Sequence, residues 1–167
     1  MYPKIIIHLY KQLLYIQVSI EKDIKSTVNL QENEKTVINV MYTFNWMKEH
    51  SIAMYKDYDL SSEQYNVLRI LRGQKGNPAN LITIQERMLN KMSNTTRLVD
   101  KLIIKGLVTR ITCKSNRRKI EICITKKGLQ LLSKLDPIVN ANNSLLTQNL
   151  ELKELEALNS LLDKLRT

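Results

Sequence analysis

The sequence predicts a mainly α chain with one small β-hairpin, an α+β class, and three observations carry that expectation. Only four glycines and three prolines occur among 167 residues, so long stretches run without a breaker. Apolar residues recur at three- and four-residue spacing through much of the chain. Between Gly106 and Gly128 the period shortens to two, which marks strands.

Residues 1–30 read as an N-terminal extension, helical or disordered. Its opening, MYPKIIIHLYKQLLYIQVSIEKD, is apolar but broken by Lys4, His8, Lys11 and Gln12. It is too interrupted to span a bilayer, and it lacks the small-residue cleavage site of a signal peptide. From about Gln31 to Lys56, Val37, Val40, Met41, Phe44 and Met47 give a long helix one apolar face. The segment YDLSSEQY then spells a helix start: Ser61 can cap, Gln64 can return the bond, and Leu60 with Tyr65 can form a hydrophobic staple. Val67, Leu68 and Leu71 carry that helix inward until RGQKGNPAN, where two glycines and Pro78 mark a loop.

LITIQERML follows as a short helix with Ile84 and Met88 facing in. Two starts fit it: Asn80 as a simple cap, or Thr83 with Glu86 as a capping box. After a turn around Leu89 to Lys91 comes SNTTRLVDKLIIKGLVTR. On a helical wheel Leu98, Val99, Leu102 and Ile103 share one arc, and Asn94, Thr96, Arg97, Asp100 and Lys101 share the other. Gly106 suits the left-handed residue that ends such a helix.

Next, LVTRIT and KIEICIT flank CKSNRR, and Ile120, Ile122 and Ile124 alternate with Glu121, Cys123 and Thr125. That is a two-stranded hairpin tipped by Arg117 and Arg118. Two more helices complete the chain, from about Lys126 to Asn149 with an interruption at Pro137, and from Leu152 to Arg166. In the last, Leu152, Leu155, Leu158, Leu161, Leu162 and Leu165 form a stripe suited to a core or a subunit interface.

The net charge is +10, and its position is informative. From Leu81 to Gly128 there are twelve cations against three acids, whereas from Val139 onward three cations meet four acids. A charge focused on one segment points to a polyanion, and the hairpin and helices say which. Two short helices joined by a tight turn, then a basic-tipped hairpin, make a winged helix-turn-helix. The major groove of B-DNA admits a helix whose polar arc can reach base edges, and a hairpin arginine suits the minor groove.

TTRLVDKLIIKGLVTR followed by SNRRKIEICITKKG resembles the MarR-type transcriptional regulators, over roughly Leu60 to Gly128. The resemblance implies that Ser93, Asn94 and Arg97 lie at the groove-reading end of a recognition helix, with Arg97 the principal base reader. It implies Arg117 in the minor groove and Arg118 bracing the hairpin or touching phosphate. With the outer-arc residues Thr96 and Lys101 and the wing residue Lys119, these make up the expected DNA-binding set. The resemblance further implies a homodimer on a pseudo-palindromic operator in double-stranded DNA, acting as a repressor that a small aromatic effector releases. The expected organisation is then an extension (1–30), a dimerisation helix (31–59), the winged helix-turn-helix (60–128) and C-terminal dimerisation helices (129–167). Three departures stand out. The family's usual wing aspartate is Asn116, which removes a charged brace to Arg118; Thr95 replaces an inward isoleucine or valine; and the first eighteen or so residues precede the family's usual start, as an added helix or an upstream start codon would place them.

Tyr42, Trp46 and Tyr65 are candidate effector-pocket residues, with plain core as the competing reading. His8 and His50 stand without ligands at metal spacing, so neither metal nor cofactor is expected. Cys113 and Cys123 make no disulfide framework and fit a reducing cytoplasm. No phosphate loop, nucleophile elbow or metalloprotease motif occurs, which argues against an enzyme. The reading from a different class is a protein-interaction module whose basic face docks an acidic partner.

Overall fold

The computed structural model describes residues 19–112 and 120–167. They fall in two compact units, Met1–Lys48 and Glu49–Thr167. In the first, α1 (Ile20–Asp23) is a single turn and α2 (Glu32–Lys56) begins. The Gln31 amide donates to the Glu34 carboxylate at 3.0 Å, which fixes the start of α2. Lys35 pairs with Glu21 at 2.7 Å, and that bond holds the Glu21 carboxyl below its usual value. The apolar face expected on α2 is present but uncovered: Val37, Met41 and Phe44 are each more than half exposed.

The second unit carries the core. α3 (Ser62–Gly73) opens with the expected capping box, Gln64 amide to Ser61 hydroxyl at 3.2 Å and Ser61 amide to Gln64 Oε1 at 3.0 Å. Leu60 and Tyr65 are both buried beside it, as a staple requires. Val67, Leu68 and Leu71 face the core together with Ile84 of the next helix and Met88, the residue just after it. That helix is α4 (Leu81–Arg87), and Asn80 is its cap, accepting from the Thr83 amide at 2.8 Å. α5 (Thr95–Ile104) packs Val99 and Leu102 inward.

α5 ends in a Schellman motif: the Leu107 amide donates to the Leu102 carbonyl (3.0 Å) and the Gly106 amide to that of Ile103 (2.8 Å). Gly106 has φ +69°, the left-handed conformation that motif demands. β1 (Val108–Thr112) then pairs antiparallel with β2 (Ile120–Ile124), in the register Val108 to Ile124 and Arg110 to Ile122. The loop expected before α4 adds to this sheet. Ala79 donates to the Ile122 carbonyl at 2.9 Å and accepts from the Ile122 amide at 2.7 Å. Pro78 favours an extended backbone just upstream, which places that amide for pairing.

α6 (Lys126–Leu146) starts at Thr125, whose hydroxyl accepts from the Gly128 amide at 3.1 Å. Here the structure corrects one expectation. α6 runs through Pro137 without interruption. Proline removes one amide donor, but Leu132, Leu135 and Val139 are buried on either side of it, and that packing outweighs the local cost. Arg72 of α3 makes a bidentate pair with Asp136 of α6, at 2.6 and 3.1 Å. α7 (Leu152–Leu165) closes the chain with its stripe open to solvent, Leu152 72% and Leu161 65% exposed.

Candidate nucleic-acid interface

α4, the turn after it and α5 are locked together by side-chain amides. The Leu89 amide donates to Asn66 Oδ1 at 2.9 Å, and the Met92 amide to Asn90 Oδ1 at 3.0 Å. Gln85 joins both sides of the turn: its Nε2 donates to the Lys91 carbonyl, and its Oε1 accepts from the Thr95 hydroxyl. Thr95 is 5% exposed, so this bond satisfies a buried hydroxyl where an aliphatic side chain would need no partner. Gln85 was not among the sequence candidates. The signal was available, because a threonine on an inward arc needs a polar partner and Gln85 is the one side-chain amide in α4.

The outer arc of α5 comes out as expected. Asn94, Thr96, Arg97, Asp100 and Lys101 are all exposed, and Ser93 is half-buried. Asn94 has a structural task besides: its Oδ1 accepts from the Arg97 amide at 3.0 Å, making it the N-cap of α5. The one acid in α5, Asp100, turns to Arg110 of β1 at 2.8 Å, bracing α5 against the hairpin. Among the described residues, the Arg97 guanidinium and the Lys101 ammonium have no hydrogen-bond or ion-pair partner. Beside them, Ile82, Ser93, Asn94 and Thr96 line a hollow of about 370 Å³ between α4 and the start of α5. In it the Ser93 hydroxyl has no partner among the described residues. The result is an exposed, net cationic helix face set on a firmly held turn.

The wing residues Arg117, Arg118 and Lys119, with Asn116 and Cys113, lie outside the described residues; strands β1 and β2 lead to and from them. Cys123 is half-buried on β2, and burial, then Glu121, pushes its thiol above the ordinary value. Such a thiol remains protonated near neutrality, unlike a redox sensor. Tyr42 and Trp46 lie exposed on α2. Tyr65 is a core residue of the second unit, its ring 5.0 Å from that of Tyr55 and its face 5.9 Å from the Arg69 guanidinium. No group of three or more metal-ligating side chains exists among the described residues. No helix among them is long and apolar enough to cross a membrane.

A helix pair across a tight turn, followed by an antiparallel hairpin and flanked by long helices, defines a winged helix-turn-helix protein. Residues 60–120 match the model of the MarR family. The chain as a whole folds as MarR-type transcriptional regulators do. It is similar to a MarR transcription factor from Planctomyces limnophilus, with 29% identity over 81% of this chain and 98% of that one, at a TM-score of 0.63. It resembles BpsR of Bordetella bronchiseptica, whose DNA binding 6-hydroxynicotinic acid regulates, with 18% identity over 83% and 98% of the two chains and a TM-score of 0.73. A mutant MarR from E. coli, solved with operator DNA, matches at 20% identity over 75% and 89%, with a TM-score of 0.67.

Proposed function

We propose that this chain is a homodimeric, sequence-specific DNA-binding regulator, a ligand-responsive repressor that acts in the cytoplasm. One observation carries the reading: Arg97 and Lys101 stand exposed and unpaired among the described residues on α5, while the acid beside them is drawn away by Arg110. A cationic face without a neighbouring acid draws a polyanion, and covering it with phosphates releases their counter-ions. In this reading Ser93, Asn94, Thr96 and Arg97 enter the major groove, with Arg97 bidentate to guanine. Lys101 holds phosphate, and Arg117, Arg118 and Lys119 take the adjacent minor groove and backbone.

The uncovered apolar side chains support a second copy: Val37, Met41 and Phe44 on α2, and Leu152, Leu161 and Leu165 on α7. The regulated DNA binding of BpsR supports a small aromatic effector; Tyr42 and Trp46, exposed on α2, are the candidate contacts that remain, since Tyr65 belongs to the core of the second unit. A dimer of this kind reads a pseudo-palindrome with half-sites about one helical turn apart.

The test is footprinting and gel retardation on fragments of the source genome. Arg97→Ala is expected to cost about 1–3 kcal/mol of specific binding and to relax one position of the site. A variant that protects the same bases with wild-type affinity removes Arg97 as reader. If wild-type protein retards no fragment at low salt, the DNA reading fails and an acidic protein partner takes its place.

A further inference from the structure

We propose that the hollow between α4 and the start of α5 receives the major-groove edge of one thymine, with Ile82 as the side chain that reads its methyl group. The inference rests on the DNA reading above and adds to it a specificity-determining residue from outside α5. The hollow holds about 370 Å³, and its lining joins Ile82 of α4 to Asn94 and Thr96 at the start of α5. Ile82 is 69% exposed, so most of its apolar surface is open to whatever enters there.

The lining is wrong for a phosphate. The segment from Leu81 to Gly128 carries twelve cations, yet among the described residues no lysine or arginine lines the hollow, and Glu86 does. A carboxylate repels a phosphate, whereas it can accept from a base amino group. A base edge fits the lining better. Of the four bases, only thymine presents an apolar group in the major groove, its C5-methyl, with the O4 acceptor beside it.

Ile82 matches the methyl, and the start of α5 matches O4. The Asn94 Oδ1 is taken by the Arg97 amide at 3.0 Å, which leaves the Asn94 Nδ2 to donate. The Thr96 hydroxyl has no partner among the described residues and can donate as well. The partial positive charge at a helix start favours the same acceptor.

A methyl contact is short-ranged, so it discriminates only where the spacing is fixed. Gln85 of α4 supplies that: it donates to the Lys91 carbonyl and accepts from the Thr95 hydroxyl, tying α4 to α5 across the hollow. Asn80 holds the start of α4, accepting from the Thr83 amide at 2.8 Å. Ile82 is therefore presented on a backbone ordered before the duplex arrives, which lowers the cost of binding.

Gel retardation on an operator selected from fragments of the source genome tests the proposal. Each thymine of one half-site is replaced in turn by deoxyuridine, which removes the methyl and keeps O4. Wild-type protein should lose about fourfold in affinity at one thymine, the worth of one buried methyl or methylene group. Ile82→Ser should show no such loss at that position, and Ile82→Val should keep it. Leu89→Ser is the control for exposed apolar surface in general, because Leu89 is 89% exposed yet outside the lining; it too should keep the loss. A wild-type chain that binds the operator but tolerates deoxyuridine at every thymine overturns the proposal and leaves Arg97 as a reader. An undiminished loss in Ile82→Ser gives the methyl to another side chain and overturns it as well. If the chain retards no duplex, the DNA reading fails and this inference fails with it.

Discussion

Replacing Gly128 with alanine tests how the helix-turn-helix segment is joined to α6. A Cβ built at Gly128 lies 2.4 Å from the Leu107 carbonyl oxygen and 2.8 Å from Ile124 Cγ1. The first is the decisive contact, since it is backbone, and that carbonyl already accepts from the Thr125 amide at 3.1 Å. Relief requires either α6 or the chain at Leu107 to retreat by most of an ångström. Overpacking of one methyl costs about 1–3 kcal/mol. Straining the Thr125 bond and the Thr125 cap of Gly128 adds roughly 1–2 kcal/mol. Alanine's better helix propensity returns about 1 kcal/mol. The expected net loss is therefore about 1–4 kcal/mol, or a melting point lower by roughly 2–16 °C for a chain of this length. Urea unfolding followed by far-ultraviolet circular dichroism measures it. Gly73 is the control: nothing lies within 4 Å of its Cβ position and its φ is not left-handed, so Gly73→Ala should be neutral or slightly stabilising. Should Gly128→Ala match Gly73→Ala, the close approach is not what makes glycine necessary there.

Gln85→Leu alone leaves the Thr95 hydroxyl buried without a partner and should cost about 1–3 kcal/mol, whereas adding Thr95→Val should restore most of it; additive losses in the double-mutant cycle would refute a direct pair. The bidentate bond from Arg72 holds the Asp136 carboxyl below its ordinary value, so its stabilisation is present above the unfolded carboxyl's pKa and lost as pH falls through the folded one. Both side chains are about a third exposed, so the pair is worth about 1 kcal/mol or less. Asp136→Asn should flatten that acid limb in a pH series of unfolding curves, and an unchanged limb counts against the pair. On the alkaline side, burial first and then the neighbouring Tyr65 push the Tyr55 phenol up to about 12. Its contribution is full below pH 10 and lost as pH rises through 12, so Tyr55→Phe should remove that loss from the alkaline limb.

Much of this architecture was legible because it is written in local chemistry. Ser61 with Gln64 and Gly106 mark helix ends by hydrogen bonds that reach three to five residues, and both ends fall where those residues place them; of the two starts that fit α4 the structure takes Asn80, and the cap at Asn94 was not foreseen. The polar arc of α5 followed from helical spacing alone. What escaped was decided at longer range. Pro137 signals a break by every local rule, yet leucines and a valine buried on both sides carry α6 through it. Ala79 joins the sheet through one residue, too short for a periodic pattern to show. Asp100 could have paired with Arg97 one turn before it, but a strand ten residues on supplies the better-placed arginine. Arg117 and its neighbours lie outside the described residues, so their roles rest on family resemblance and the strands that carry them.

Within a few residues of Thr125, several bonds weld the end of α5 to the start of α6. The Thr125 hydroxyl reaches the Gly106 carbonyl at 2.9 Å, its amide reaches Leu107, and the Lys127 ammonium clamps Lys105. Gly128 lets the two backbones touch with no side chain between them to yield. α6 is 21 residues long, a lever of about 30 Å. Those ties leave no loop between the end of α5 and the start of α6 to absorb a tilt of that lever.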